Sequence, residues 1–523
     1  MHALRRRMLP GLVALTCLAL AAAHSVAAAP AGRCFTIKVT DEQTGRGVPL
    51  VELETVHHVR CYTDSNGIAA FFEPGLMGQK VFFFLRSHGY EFPKDGFGFA
   101  GVALEVKEGA AAELKVKRLN LAERLYRLTG AGIYRDSVLA GRPVPIRQPL
   151  LSAQVMGQDS VVAAPWNGKL YWFWGDTNRP GHPLGLFLVS GATSLPPGRG
   201  GPDPGVGVDF QYFVDKQGFS RPMCPIGGQG PVWIDGLLTL PDETGRERLV
   251  AHYMRMKSLG EMLEHGLVVF DEAKEVFRKH VEFDLGQRWR CPRGHPLRAK
   301  ENGTEFFLFA APFATVRAKA QWKPLADQAG YEAFTCLVPG SRPDSATAEV
   351  ERGPGGRLIY AWKPNAGPIT PARERELIAA GKIKPEEACY QPRDVDTQKP
   401  VQLHSGSIHW NGFRKKWIMI AVQAHGVSSF LGEVWLTEAD APTGPWLWAK
   451  KIVTHDKYSF YNPVHHPFFD QDGGRIIYFE GTYASTFSGN PAPTPRYDYN
   501  QIMYRLDLSD PRLPQPLAPA RSP

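Results

Sequence analysis

The feature that most constrains this chain is a pair of short apolar runs joined by a tight turn, which recurs along the sequence. Asn-Gly and Asp-Gly favour hairpins because the central residues of a type I′ turn need positive φ. Apolar and polar residues alternate in the flanking runs, which is the period of a half-buried strand. The units are Ser160–Trp166 with Lys169–Trp174, Pro231–Leu240 with Leu249–Met256, Leu297–Glu301 with Thr304–Phe309, Ser407–Trp410 with Phe413–Ala421, and Val464–Gln471 with Arg475–Glu480.

Five such units in about 370 residues predict a five-bladed β-propeller over residues 142–510. A double-sheet sandwich is the structural alternative. The segment 370–387 interrupts the pattern, because TPARERELIAAGKIKPEE has helical character. We place it as an insertion between the third and fourth blades, and we predict an all-β fold for the chain as a whole.

A smaller β domain precedes this region. Phe35, Ile37 and Val39 alternate with polar residues, and turn clusters separate further strands, so residues 34–118 predict a small β-sandwich. Residues 119–141 are expected to be a connector with a short helical pattern, and residues 511–523 a Pro-rich tail.

The N-terminus predicts export. Arg5–Arg7 precede an apolar run, Leu9–Ala23, which is short for a membrane span, so residues 1–27 are interpreted as a secretory signal peptide. Its removal leaves 57 basic and 52 acidic residues, a net charge of +5. That charge is too small and too dispersed to indicate nucleic acid. We expect a periplasmic or secreted monomer without a membrane span.

Six cysteines remain after Cys17 is removed with the leader: Cys34, Cys61, Cys224, Cys291, Cys336 and Cys389. An even number in an exported protein permits disulfides. Cys34 and Cys61 fall in the small domain and are the first pair expected. Free buried thiols are the alternative.

The first hairpin carries the main functional prediction. With Asn167-Gly168 as the turn, residue i faces residue 335 − i, so Asp159 faces Asp176. Opposed carboxylates repel each other, and one of the two should have a raised pKa. Glycosidic bond cleavage needs two carboxyl groups with separated pKa values. Alternatively, Asp176 caps a turn, Asp159 binds an amide or a structural cation, or Pro165 introduces a bulge that breaks the register.

Other residues could complete a site. Glu264 and Glu480 are candidate further carboxylates, and either could be the true acid. A histidine at the start of a hairpin, or beside a carboxylate, suits an acid–base or sugar-binding role, although a structural role is the alternative for each. The candidate substrate-binding residues are His295, His404, His465, Tyr461, Trp174 and Tyr483.

Two stretches resemble known propeller families. GQDSVVAAPWNGKLYWFWGDT (157–177) is similar to the signature of a five-bladed family that includes bacterial endo-D-arabinanases, and EVWLTEADAPTGPW (433–446) resembles an outer-strand motif of arabinanase and fructosidase propellers. The resemblance implies a sugar-cleaving pocket at the propeller axis, with Asp159 and Asp176 matching the acidic pair. In the small domain, VTDEQTGRGVPLVELE resembles the carboxypeptidase-regulatory-like, transthyretin-like sandwich, which implies an accessory module.

The sequence therefore predicts an exported glycoside hydrolase that acts on a carbohydrate. The alternatives are a glycan-binding propeller without catalysis and a surface scaffold without a deep axial pocket. G-x-S-x-G, H-E-x-x-H and Walker patterns do not occur. No cofactor or metal ligand set is expected, although a structural cation on the axis is left open.

Overall fold

The computed structural model describes residues 33–341 and 348–518. These residues are mostly strands, so the all-β prediction is confirmed. Within the described ranges, no helix has the length and apolar character that crossing a bilayer requires. The predicted signal peptide, residues 1–27, lies outside the described residues.

Two four-stranded sheets form the N-terminal unit. The strand order is β4-β1-β8-β6 in one sheet and β3-β2-β5-β7 in the other. Phe35, Ile37 and Val39 are buried in the core that the unit encloses, which agrees with their predicted alternation. The strands are β1 (Phe35–Asp41), β2 (Glu52–Thr55), β3 (Arg60–Tyr62), β4 (Ile68–Phe71), β5 (Lys80–Arg86), β6 (Tyr90–Glu91), β7 (Gly101–Glu105) and β8 (Ala111–Arg118).

The expected disulfide between Cys34 and Cys61 is wrong, because both are free thiols in the structure. Cys34 directly precedes β1, an inner strand of one sheet, whereas Cys61 lies on β3, an edge strand of the other. The four other cysteines between residues 33 and 518 are free as well.

The rest of the chain contains 25 strands and three short α-helices within the described ranges. The helices are α1 (Arg135–Leu139), α2 (Trp322–Ala326) and α3 (Pro371–Ala379). The strands are β9 (Glu123–Arg127), β10 (Gly157–Gln158), β11 (Val162–Trp166), β12 (Lys169–Trp174), β13 (Thr177–Arg179), β14 (His182–Leu186), β15 (Ser190–Ser194), β16 (Gln211–Tyr212), β17 (Val232–Pro241), β18 (Glu247–Ser258), β19 (Glu261–Asp271), β20 (Val276–Phe283), β21 (His295–Glu301), β22 (Thr304–Ala310), β23 (Ala314–Lys319), β24 (Glu332–Thr335), β25 (Ala361–Lys363), β26 (Arg393–Asp394), β27 (Leu403–Asn411), β28 (Lys416–Gln423), β29 (Val434–Ala439), β30 (Trp448–Val453), β31 (Ser459–His465), β32 (Ile476–Ala484) and β33 (Asn500–Asp507).

Five sheets follow one another along this part of the chain. Their strand orders are β11-β12-β15-β16, β17-β18-β19-β20, β21-β22-β23-β24-β25, β27-β28-β29-β30-β26 and β31-β32-β33-β9. The first strands of consecutive sheets contact each other: β11 with β17, β17 with β21, β21 with β27, and β27 with β31. Ser160, just before β11, bonds Thr482 and Asn462 of the fifth sheet, which joins the last sheet to the first. The number of blades, five, stays a prediction.

Strand β9 corrects the helical pattern expected in the connector. Glu123–Arg127 pair with β33 and supply the fourth strand of the fifth sheet. All five residues are buried, so both faces of the strand are covered. Pairing with a distant strand overrides the local spacing of Leu121, Leu125 and Leu128, because the buried backbone N–H and C=O groups along the edge of β33 need partners.

The predicted turns are only partly correct. The strands meet across Asn167-Gly168 and Asn302-Gly303 as expected. At Asn411-Gly412 the loop is longer, because Asn411 pairs with Lys416. In the last unit β31 ends at His465, and short 3₁₀ turns fill the space before β32. Helix α3 lies between the third and fourth sheets, within the predicted insertion. In the expected tail, Leu513 and Leu517 are buried against the core.

Candidate active site

A cavity of about 510 Å³ lies where the first strands of the five sheets begin. Residues at or just before the first strand of each sheet line it: Asp159 precedes β11, Trp233 is on β17, Arg293 precedes β21, His404 is on β27 and Tyr461 is on β31. This volume is in the range of small-molecule sites. The convergence of five sheets places the cavity on their common axis.

Asp159 and Asp176 meet on one wall of this cavity. The predicted pairing sum of 335 holds on both sides of them, since Val162 pairs with Phe173 and Gln158 with Thr177. The Asp176 backbone N–H donates to Asp159 Oδ1 at 3.1 Å. A Cβ at Gly175 would lie 2.4 Å from Asp159 Oδ1, so only glycine leaves room for the Asp159 carboxyl beside the next strand.

The surroundings of Asp159 favour the protonated form of its carboxyl group. Burial and the neighbouring Asp176 raise the pKa of Asp159 to about 7, although hydrogen bonds from Tyr461 and Tyr499 oppose the shift. The Tyr461 hydroxyl donates to Asp159 Oδ2 at 3.2 Å. Asp159 is therefore a carboxyl group that is protonated in a large fraction of molecules near neutral pH.

Asp176 is stabilised differently. Burial raises its pKa, and the hydrogen bond from Trp233 works in the opposite direction. Trp233 Nε1–H donates to Asp176 Oδ1 at 3.0 Å. The raised pKa of Asp159 and the hydrogen bond that stabilises the ionised form of Asp176 give the two carboxyls unlike environments, as an acid and a base require.

Sequence reasoning missed a third carboxylate, Asp235 on β17, which lines the same cavity. Burial raises its pKa, while Arg293, at 3.5 Å, and the Gly294 backbone N–H lower it. Asp235 is the one charged residue in the apolar run PVWIDGLLTL, and that isolation was the available signal. Tyr499, Trp233 and Arg293 were missed as well.

The backbone is strained around the cavity. Five lining residues other than glycine have positive φ: Ser160 (51°), Leu184 (47°), Asn462 (49°), Phe487 (63°) and Tyr499 (59°). Such conformations are uncommon for residues with a side chain and tend to occur at functional sites.

The structure does not bring Glu480 into this cavity. Glu480 is fully buried, and its Oε1 lies 2.7 Å from His466 Nε2. Burial raises the pKa of Glu480 well above its ordinary value. The predicted neighbourhood of a histidine is correct, but β32 turns this side chain into the packed space near Trp172, which contacts His466.

Glu264 is also elsewhere, in an ion-pair cluster on β19 with Arg255 and Lys279. Burial would raise the pKa of Glu264, but hydrogen bonds from Lys279, Tyr253 and Arg255 outweigh it and lower the pKa to about 2. A carboxylate held so firmly in its ionised form is a poor proton donor. Its position is structural, because its partners lie on the same sheet.

The predicted substrate-binding residues divide into three groups. Trp174, Tyr461 and His404 line the cavity with Asp159. His295 and His465 line a second cavity of about 190 Å³, together with later residues of the first strands such as Ala163 and Leu237.

Tyr483 lies apart from both cavities. Its ring is buried and stacks on Tyr458 at 4.0 Å, and its hydroxyl is 2.9 Å from His88 Nε2 of the small sandwich. Tyr483 therefore joins the N-terminal unit to the fifth sheet, which is why it cannot contact a ligand on the axis.

Within residues 33–341 and 348–518, no group of three or more His, Cys, Asp or Glu side chains is arranged to hold a metal ion. Two histidines of the fifth sheet bond carboxylates, His465 with Asp470 and His466 with Glu480, each at 2.7 Å.

No protein-family model matches the sequence. No curated protein matches it either. Solved structures with a similar fold include an exo-β-1,3-galactanase from Phanerochaete chrysosporium (11% identity, TM-score 0.34, 69% of this chain and 64% of that one). They also include an exo-1,5-α-L-arabinanase from a bovine ruminal metagenomic library (10%, 0.32, 68% and 94%) and a glycosyl hydrolase from Bacteroides ovatus (11%, 0.33, 68% and 86%). The chain spans less than two thirds of the galactanase.

Proposed function

We propose that the protein is an exported glycoside hydrolase in which Asp159 and Asp176 cleave the glycosidic bond. The observation that carries this proposal is the contact between the two aspartates in a 510 Å³ cavity, with the pKa of Asp159 raised to about 7. Such a pair has the two protonation states that glycosidic cleavage needs at one pH.

In this proposal Asp159 is the acid. Its proton goes to the oxygen of the departing sugar as the glycosidic bond breaks. Asp176, whose ionised form Trp233 stabilises by a hydrogen bond, attacks the anomeric carbon or activates a water molecule. Tyr461 and Tyr499 orient the Asp159 carboxyl, and Trp174 supplies an apolar wall for a sugar ring.

A non-catalytic glycan-binding protein is the second candidate, since the same aromatic and polar cavity could bind a sugar without turnover. The surface-scaffold alternative is weaker, because it predicts no deep axial cavity and the structure has one. Export rests on the N-terminal sequence alone.

The test is hydrolysis of a panel of polysaccharides and aryl glycosides by wild type, Asp159→Asn and Asp176→Asn. We expect each variant to lose about 10²–10⁴-fold in kcat while its circular dichroism stays native. Asp235→Asn is run beside them because Asp235 shares the cavity. Activity that survives in both Asp159→Asn and Asp176→Asn contradicts the assignment, and sugar binding without hydrolysis by wild type favours the second candidate.

A further inference from the structure

Three large apolar side chains stand at the mouth of the candidate active-site cavity. Leu184, Leu259 and Phe487 line it, with relative exposures of 37%, 73% and 48%. Single exposed apolar residues are normal on a protein surface, whereas a group of them marks a contact site. We refer to Leu184, Leu259 and Phe487 as the apolar rim.

Local backbone preferences do not explain these residues. Leu184 and Phe487 have φ values of 47° and 63°, which are unfavourable for bulky side chains. Leu259 lies with Gly260 in the two-residue turn between β18 and β19, where Ser258 pairs with Glu261. Gly, Asn and Asp usually occupy such positions. Leu184 and Phe487 thus present apolar side chains where glycine or asparagine fits the backbone better, and Leu259 presents one in a tight turn.

The apolar rim continues into the carboxylate site. The Phe487 ring lies 5.9 Å from the Tyr461 ring, and the Tyr461 hydroxyl bonds Asp159. Phe430, which is 40% exposed, precedes the cavity residue Leu431 in the loop between β28 and β29. A single ligand can therefore contact the rim and the aspartates together.

We propose that the substrate is a glycolipid, whose sugar reaches Asp159 and Asp176 while its alkyl chain lies against the apolar rim. The inference rests on the proposed function, since it takes the aspartates as the place of the sugar. It adds a substrate class, because burial of methylene groups against Leu184, Leu259 and Phe487 would contribute affinity that a purely polar polysaccharide lacks.

The experiment compares matched ligands that differ only in the chain. Octyl and methyl glycosides of arabinofuranose, galactopyranose and glucopyranose, kept below the micelle concentration, are titrated into the full-length protein by calorimetry, and their hydrolysis is measured separately. We expect at least one octyl glycoside to bind about tenfold or more tightly than its methyl counterpart, since two buried methylenes suffice for that factor.

The rim variant carries both Leu259→Ser and Phe487→Ser. The control is Phe97→Ser, because Phe97 is 89% exposed and belongs to the small sandwich. The rim variant should bring the octyl-to-methyl affinity ratio close to one, and the control should keep the wild-type ratio. A ratio near one in wild type, no binding of any octyl glycoside, or a ratio that the rim variant leaves unchanged would each overturn the inference.

Failure of the proposed function has a different signature. Equal hydrolysis of octyl and methyl glycosides, lost in Asp159→Asn, would keep the hydrolase and overturn the glycolipid. An octyl preference without any hydrolysis would keep the apolar rim and overturn the hydrolase. Binding to phosphatidylcholine vesicles that the rim variant abolishes, with no octyl preference, would assign the rim to a membrane surface and overturn the inference.

Discussion

Removal of the Trp233 indole N–H is expected to move the acid limb of the pH–rate profile. Trp233→Phe deletes the donor that lies 3.0 Å from Asp176 Oδ1 and keeps most of the ring. That hydrogen bond lowers the pKa of Asp176, so its loss raises the pKa. Asp176 must be ionised to attack or to activate water. As the pH falls, the variant should therefore lose activity at a higher pH than wild type does.

The size of the shift follows from the strength of the bond. A hydrogen bond to a charged group contributes about 1.5–3 kcal/mol, and one pKa unit corresponds to about 1.4 kcal/mol. Because Asp176 is only half-buried and water can replace part of the bond, we take the lower end of that range, which corresponds to about a tenfold loss of kcat/KM at a fixed pH on the acid limb. The assay is kcat/KM against pH on the best substrate of the panel.

Trp174→Phe is the matched control. Trp174 lines the same cavity, but its indole N–H has no hydrogen-bond partner in the structure. The control removes the same atoms without touching Asp176, and its acid limb should stay at the wild-type position. An unshifted limb in Trp233→Phe, or an equal shift in both variants, would refute the reasoning.

Three further predictions test neighbouring parts of the structure. Tyr461→Phe removes a bond that lowers the pKa of Asp159, so the basic limb of the pH–rate profile should move to higher pH; a shift to lower pH would contradict the assignment of Asp159 as the acid. Glu480→Gln should keep both activity and the bond to His466, and change the free energy of unfolding by less than about 1 kcal/mol, as measured in urea; loss of activity in a folded variant would place Glu480 in the site. Arg124→Met leaves two backbone carbonyls of the small sandwich without a donor, at about 1–3 kcal/mol each, and urea unfolding at an unchanged midpoint would contradict this.

Much of the fold could be predicted because the turns are local. Asn167-Gly168 fixes its own hairpin, and the register that follows from it places Asp159 beside Asp176 without any knowledge of the rest of the chain. The turn at Asn411-Gly412 shows the limit of this reasoning, since four residues intervene before Lys416. An Asn-Gly pair favours a two-residue turn but does not compel one.

The remaining features depend on contacts between distant segments. Glu123–Arg127 become a strand because β33 offers an unpaired edge, which the spacing of leucines cannot reveal. Glu480 and Asp235 both lie on strands, yet only Asp235 lines the cavity, because β17 is the first strand of its sheet whereas β32 is the second strand of the fifth sheet. The packing of the five sheets decides which strands line the cavity. The sequence therefore identifies candidate carboxylates but does not show which of them lie together.

The protonation of Asp159 is the most direct test of the central claim. Difference infrared spectra of wild type minus Asp159→Asn, recorded across pH, isolate the carboxyl band of this residue without any substrate. We predict a midpoint near 7, and a lower midpoint in the Asp176→Asn background, because the Asp176 charge contributes to the shift. A midpoint near the ordinary 3.8, unchanged by Asp176→Asn, would contradict the account.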